Sequence, residues 1–104
     1  MRPRLKSLED QAIVITGASS GIGLATARLA AARGARVLLA ARSLDGLWDA
    51  AERIRQQGGE VASVVADVAS EHDVRRVAET AAHRFGGIDT WINNAGVSVY
   101  GRSD

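Results

Sequence analysis

Residues 16–23 read Thr16-Gly17-Ala18-Ser19-Ser20-Gly21-Ile22-Gly23, and each glycine answers a demand that a bound phosphate would make. Gly17 permits a sharp backbone turn at the end of an apolar run. Gly21 lets the backbone approach an anion closely, and Gly23 lets a following helix pack tightly on a sheet. A helix opening here presents the unpaired N–H groups of its first turn and the positive end of its dipole. Ser19 and Ser20 add hydroxyl donors, and Ile22 sits between the last two glycines. The chemistry on offer is non-covalent: the turn can hold the pyrophosphate of a dinucleotide.

Such a turn works only between a strand and a helix, and the flanking sequence supplies both. Residues 11–16 (QAIVIT) form a short apolar, β-branched run, as expected of a strand buried on both faces. Residues 24–33, rich in Ala and Leu, read as a helix with Gly34 as its C-cap. Arg36–Ala41 (RVLLAA) reads as a second buried strand. Residues 44–57 place Leu44, Leu47, Trp48, Ala51 and Ile54 at the spacing of one buried helical stripe, stopped by Gly58-Gly59. Residues 61–66 (VASVVA) are the third strand. Ser70 followed by Asp73 resembles a capping box, so a helix is expected from about residue 71. Its buried face is Val74, Val77, Ala78, Ala81 and Phe85, and Gly86-Gly87 ends it. Residues 88–93 (IDTWIN) are the fourth strand. Strands alternating with helices of this length predict an α/β chain with a parallel sheet and right-handed crossovers.

The G-x-x-x-G-x-G spacing differs from the G-x-G-x-x-G of the common dinucleotide fingerprint. TGxxxGIG directly after the first strand resembles the short-chain dehydrogenase/reductase family. The resemblance extends to Asp67-Val68 at the end of the third strand, similar to the family's adenine-contacting pair of a carboxylate and the next backbone N–H. It includes Asn93-Asn94-Ala95-Gly96 after the fourth, similar to the NNAG motif beside the cofactor. Together the motifs cover residues 12–97. They imply a Rossmann-type doubly wound sheet, first half only, with strand order 3-2-1-4. The expected division is a leader at 1–10 and a truncated dinucleotide-binding domain at 11–104. Residues Gly17, Ser19, Ser20, Gly21, Ile22, Gly23, Asp67, Val68, Asn94, Ala95 and Gly96 are then expected to contact the cofactor.

The end of the second strand bears on which cofactor. In dinucleotide-binding folds an acid there bonds the ribose 2′-hydroxyl of NAD, and a nearby Arg accommodates the 2′-phosphate of NADP. Aligned on Arg36–Ala41, the family's acidic position falls on Ala41, with Arg42 and Ser43 next; the nearest acid, Asp45, already lies on the following helix. Without a carboxylate to repel a phosphate and with a guanidinium able to grip it, NADP(H) is expected in preference to NAD(H).

Composition narrows the classes further. The chain has 104 residues, with 13 Lys+Arg against 12 Asp+Glu and a net charge of +1. That balance supplies no field for nucleic acid or an anionic membrane. There are no cysteines, which removes disulfides, thiolate catalysis and Cys-based zinc sites. No apolar run approaches the roughly 20 residues of a membrane span, and the basic start MRPRLKSLED lacks the apolar core of a signal peptide. A soluble cytoplasmic protein is the expectation. His72 and His83 lie opposite the apolar stripe of their helix, too far apart to share a metal, and no metal is expected.

The family's reaction is hydride transfer between nicotinamide and a carbonyl or alcohol carbon. Its catalytic Tyr-x-x-x-Lys lies C-terminal to NNAG and cannot be formed here: Tyr100 is the single tyrosine, position 104 is Asp104, and the single lysine is Lys6. Tyr100 and Ser98 are read as loop residues, with 97–102 reaching toward a substrate. The expectation is therefore the cofactor-binding portion of a longer NADP(H)-dependent oxidoreductase, inactive alone and a homo-oligomer at full length, acting on a small carbonyl or alcohol. The alternative is a non-catalytic dinucleotide-binding or sensor module.

Overall fold

The computed structural model describes residues 7–19 and 21–94. Lys6, Ser20, Ala95, Gly96, Ser98 and Tyr100 lie outside the described residues. After a single 3-10 turn at Leu8–Asp10, the chain alternates strand and helix. The elements are β1 (Ala12–Thr16), α1 (Gly21–Ala32), β2 (Arg36–Ala41), α2 (Leu44–Gln56), β3 (Glu60–Val65), α3 (Glu71–Phe85) and β4 (Thr90–Asn93). The four strands are parallel in the order β3-β2-β1-β4. This is the Rossmann-type half-sheet that the motifs imply.

The sheet is covered on both faces. Ile13, Ile15, Val37 and Leu39 meet the alanine face of α1 (Ala27, Ala30, Ala31) and the Leu47–Ile54 side of α2. Val14, Leu38, Ala62 and Val64 point the other way, against Val77, Ala81 and Phe85 of α3. β1 is buried at every position, as its unbroken apolar run requires. β3, at the outside of the order, buries Val61, Ala62 and Val64 but exposes Ser63 and Val65.

Several local readings change; β4 begins at Thr90 rather than residue 88, and α3 buries Val77, Ala81 and Phe85 of its expected face. α1 begins at Gly21 rather than at residue 24, so the last two glycines of the turn belong to the helix they precede. The buried stripe of α2 is Leu47, Ala50, Ala51 and Ile54. Leu44 and Trp48 are 64% and 62% exposed: Trp48 lies about 110° round the helix from the centre of that stripe, and Leu44 stands at the first position of the helix. The capping box is also only half formed. Ser70 Oγ accepts the Asp73 N–H at 3.2 Å, but the Asp73 carboxylate does not return to Ser70. It accepts the Asp67 N–H instead, while Ser70 N–H donates to the Asp67 carbonyl.

Candidate functional site: the carboxyl edge of the sheet

Strand register brings the motifs together. Asn93, Thr16, Ala40 and Val64 pair across the sheet, so the segments after them leave side by side. Read across the sheet, Asp67-Val68 follows β3, Arg42 follows β2, the glycine turn follows β1 and Asn94 follows β4. Carboxyl ends of parallel strands at a change in strand order are where open α/β sheets bind ligands.

The turn after β1 is built from its backbone. Gly17 takes φ 67°, and its N–H donates to the Ala40 carbonyl at 2.8 Å. Gly21 takes φ 62°, and a Cβ on it would meet no atom within 4 Å. Gly23 is the opposite case: a Cβ there would collide with the Gly17 carbonyl oxygen and lie 3.1 Å from Ala18 Cα. Gly23, expected to seat the helix on the sheet, lies instead against the turn itself, so α1 and the turn form one tight unit. Ile22, 76% exposed, projects from the first turn of α1, which contains no acidic residue. Ser19 is half-buried and faces α2, where a Cβ on Gly46 would stand 3.0 Å from its own Cβ.

The other positions are placed as follows. Arg42 is exposed directly after buried Ala41. Ser43 is also exposed, and its Oγ accepts the Gly46 N–H at 3.3 Å, capping α2. Asp67 and Val68 are half-buried. Asp67 Oδ1 accepts the Ala69 N–H at 2.9 Å. The side-chain nitrogen of Asn94 is buried with no acceptor among the described residues. Two further residues, Thr16 and Asp73, shape this edge without being among the expected contacts. Thr16, fully buried, donates its hydroxyl to Asn93 Oδ1 at 2.6 Å while its carbonyl accepts the Asn94 N–H at 3.2 Å, joining the first motif to the last. A hydroxyl closing an otherwise apolar strand was the available signal. Asp73 was read only as a cap residue.

The Asp73 carboxyl is held below its ordinary range, chiefly by the Asp67 N–H it accepts; partial burial opposes this, and Arg76 and then His72 add to the lowering. A hollow on α2 lined by Leu44, Asp45, Gly46, Trp48 and Asp49 adjoins the turn, but its two carboxylates suit no phosphate. Among the described residues no three of His, Asp or Glu converge on a metal-sized site, and no helix is long and apolar enough to cross a membrane. His72 and His83 are both exposed.

Comparison with known proteins identifies the arrangement. The family model for short chain dehydrogenase matches residues 11–104. An uncharacterized oxidoreductase of Bacillus subtilis, YxnA, is 53% identical over 100 residues, covering 96% of this chain and 28% of that protein. The 3beta-hydroxysteroid dehydrogenase 1 of Eggerthella lenta is 39% identical over 98 residues, covering 93% of this chain and 38% of its own length. Among solved structures, L-sorbose reductase from Gluconobacter frateurii, crystallised with NADPH and L-sorbose, superimposes with a TM-score of 0.81 at 42% identity. That match covers 88% of this chain and 35% of the reductase. The chain thus spans well under half the length of these relatives, and over that span it belongs to the short-chain dehydrogenase family.

Proposed function

We propose that this chain is the dinucleotide-binding part of an NADP(H)-dependent oxidoreductase whose substrate is a small carbonyl compound or alcohol. The residues present fit such a cofactor. Among the described residues Gly21 faces open space at the start of a helix whose first turn carries no acidic residue, and the Asn94 side chain holds a buried donor without an acceptor. The first turn of α1, with Ser19 and Ser20, would bind the pyrophosphate. Asp67 and Val68 would hold the adenine, and Asn94, Ala95 and Gly96 would line the nicotinamide end. When bound, the nicotinamide supplies or accepts the hydride; the chain's own part is to orient it and to neutralise phosphate charge.

The observation that carries the cofactor preference is the carboxyl end of β2. Ala41 is buried and Arg42 stands exposed immediately beyond it, so a 2′-phosphate would meet a guanidinium there, and position 41 carries no carboxylate to repel it. Ser43 is drawn into capping α2 and would contribute through its exposed edge. The NADPH in the sorbose reductase structure is consistent with this reading. Titrating the chain with NADPH and NADH, followed by the fluorescence of Trp48 and Trp91, tests it. Arg42→Ala is expected to weaken NADPH about tenfold or more, the scale of a charge-assisted hydrogen bond, and to leave NADH within about twofold. Equal losses for both would remove Arg42 as the selector.

By resemblance to the family, the full-length protein is proposed to act in the cytoplasm as a homo-oligomer.

A further inference from the structure

The turn between β3 and α3 carries Asp67 and Val68, and a second aspartate six residues along the chain holds its shape. Asp73 Oδ2 accepts the Asp67 N–H at 2.8 Å. Arg76, one turn further along α3, donates to the Val65 carbonyl at 2.6 Å and lies 3.5 Å from Asp73 Oδ1. The last carbonyl of β3 and the amide of Asp67 are therefore both tied to one carboxylate–guanidinium pair. Capping α3 does not require this, since Ser70 Oγ already accepts from the helix at Asp73 N–H. The Asp73 carboxylate serves the loop, and its bond to Asp67 N–H is charge-assisted.

We propose that Asp73 is a positioning residue for adenine recognition, fixing the Asp67 peptide so that the Asp67 carboxylate and the Val68 N–H form a rigid acceptor–donor edge. The inference rests on the reading of Asp67-Val68 as the adenine contact. Adenine presents an amino donor beside a ring-nitrogen acceptor, which such an edge complements. Hypoxanthine presents the reverse pattern, a carbonyl acceptor beside a ring N–H donor. An edge held in place discriminates between the two bases, because a mismatched base leaves polar groups unpaired. A loop free to shift would accommodate either.

The test is the ratio of dissociation constants for NADPH and its hypoxanthine analogue, measured by tryptophan fluorescence on the unaltered chain, Asp73→Ala and Asp73→Asn. The ratio cancels any fall in the fraction of folded protein. The unaltered chain is expected to prefer adenine, and Asp73→Ala to reduce that preference by about tenfold. Asp73→Asn keeps an amide oxygen toward the Asp67 N–H and is expected to restore most of it. If Asp73→Ala weakens both ligands equally and leaves the ratio intact, its role is merely structural and the proposal is overturned. If the unaltered chain binds both dinucleotides without preference, the reading of Asp67-Val68 fails, and this proposal with it. If it binds neither, the dinucleotide reading itself fails.

Discussion

Asp73 carries charge consequences as well as geometric ones. Its carboxyl lies below the ordinary value of 3.8 in the folded chain, first because of the Asp67 N–H and then because of Arg76 and His72. A depressed carboxylate binds fewer protons folded than unfolded, so its contribution to stability is fully present above the ordinary value. The contribution is lost as pH falls through the lowered one. Melting temperatures of the unaltered chain and Asp73→Asn should therefore differ at pH 7, begin to converge as pH drops below 3.8, and meet once pH has fallen through the lowered value and the aspartate is neutral like its replacement. A gap that stays constant down to strong acid would show that charge on Asp73 does not matter. None of this was legible in the sequence. Ser70 and Asp73 at cap spacing correctly located the start of α3, but spacing does not reveal that a short side chain will reach across the turn to Asp67 instead of back to Ser70.

Among the elements, the seating of α1 matters most for the site. Helix and turn touch through Gly23 against Gly17, backbone against backbone, and no rotamer change can relieve a side chain placed there. Gly23→Ala is expected to cost about 1–3 kcal/mol, the scale of an overpacked contact, and to remove NADPH binding as α1 lifts from the turn. Gly21→Ala has open space but a φ of 62°, so it should cost only about 1–2 kcal/mol of conformational strain. Urea midpoints with parallel NADPH titrations check both, and a Gly23→Ala chain as stable as the unaltered one would refute the tight seating. The strand and helix order was readable because β1 and β2 are continuous apolar runs bounded by glycine, and α3 has a clean apolar face. Spacing alone sets Leu44 and Trp48 on the α2 stripe and omits Ala50, because it marks large apolar residues; the structure exposes the first two and buries the small Ala50 beside Ala51. The positions of Arg42 after β2 and of the glycines after β1 follow from residue type and order alone. The bond from Thr16 to Asn93 depends on the pairing of β1 with β4, which local sequence does not encode.

At the scale of the whole molecule, the candidate site belongs to no single element. Its residues follow all four strands of one sheet, whose faces are packed separately by α1 with α2 and by α3. A dinucleotide lying along that edge would be held by β3, β2, β1 and β4 together, and unfolding any of them would release it. Binding only to the folded chain stabilises it by about 2.7 kcal/mol at a hundred times the dissociation constant. For a domain of this size that corresponds to a rise in melting temperature on the order of 10 °C. NADPH is therefore expected to raise the melting temperature in steps that follow the logarithm of its concentration, and NADH at equal concentration to raise it less. Amide exchange separates a cooperative effect from a local one. If the sheet responds as a unit, NADPH should slow exchange in β3 and β4 as well as in β1 and the first turn of α1. Protection confined to the glycine turn would mean that the dinucleotide grips one loop, and the alignment of four motifs along the sheet edge would then have no part in binding.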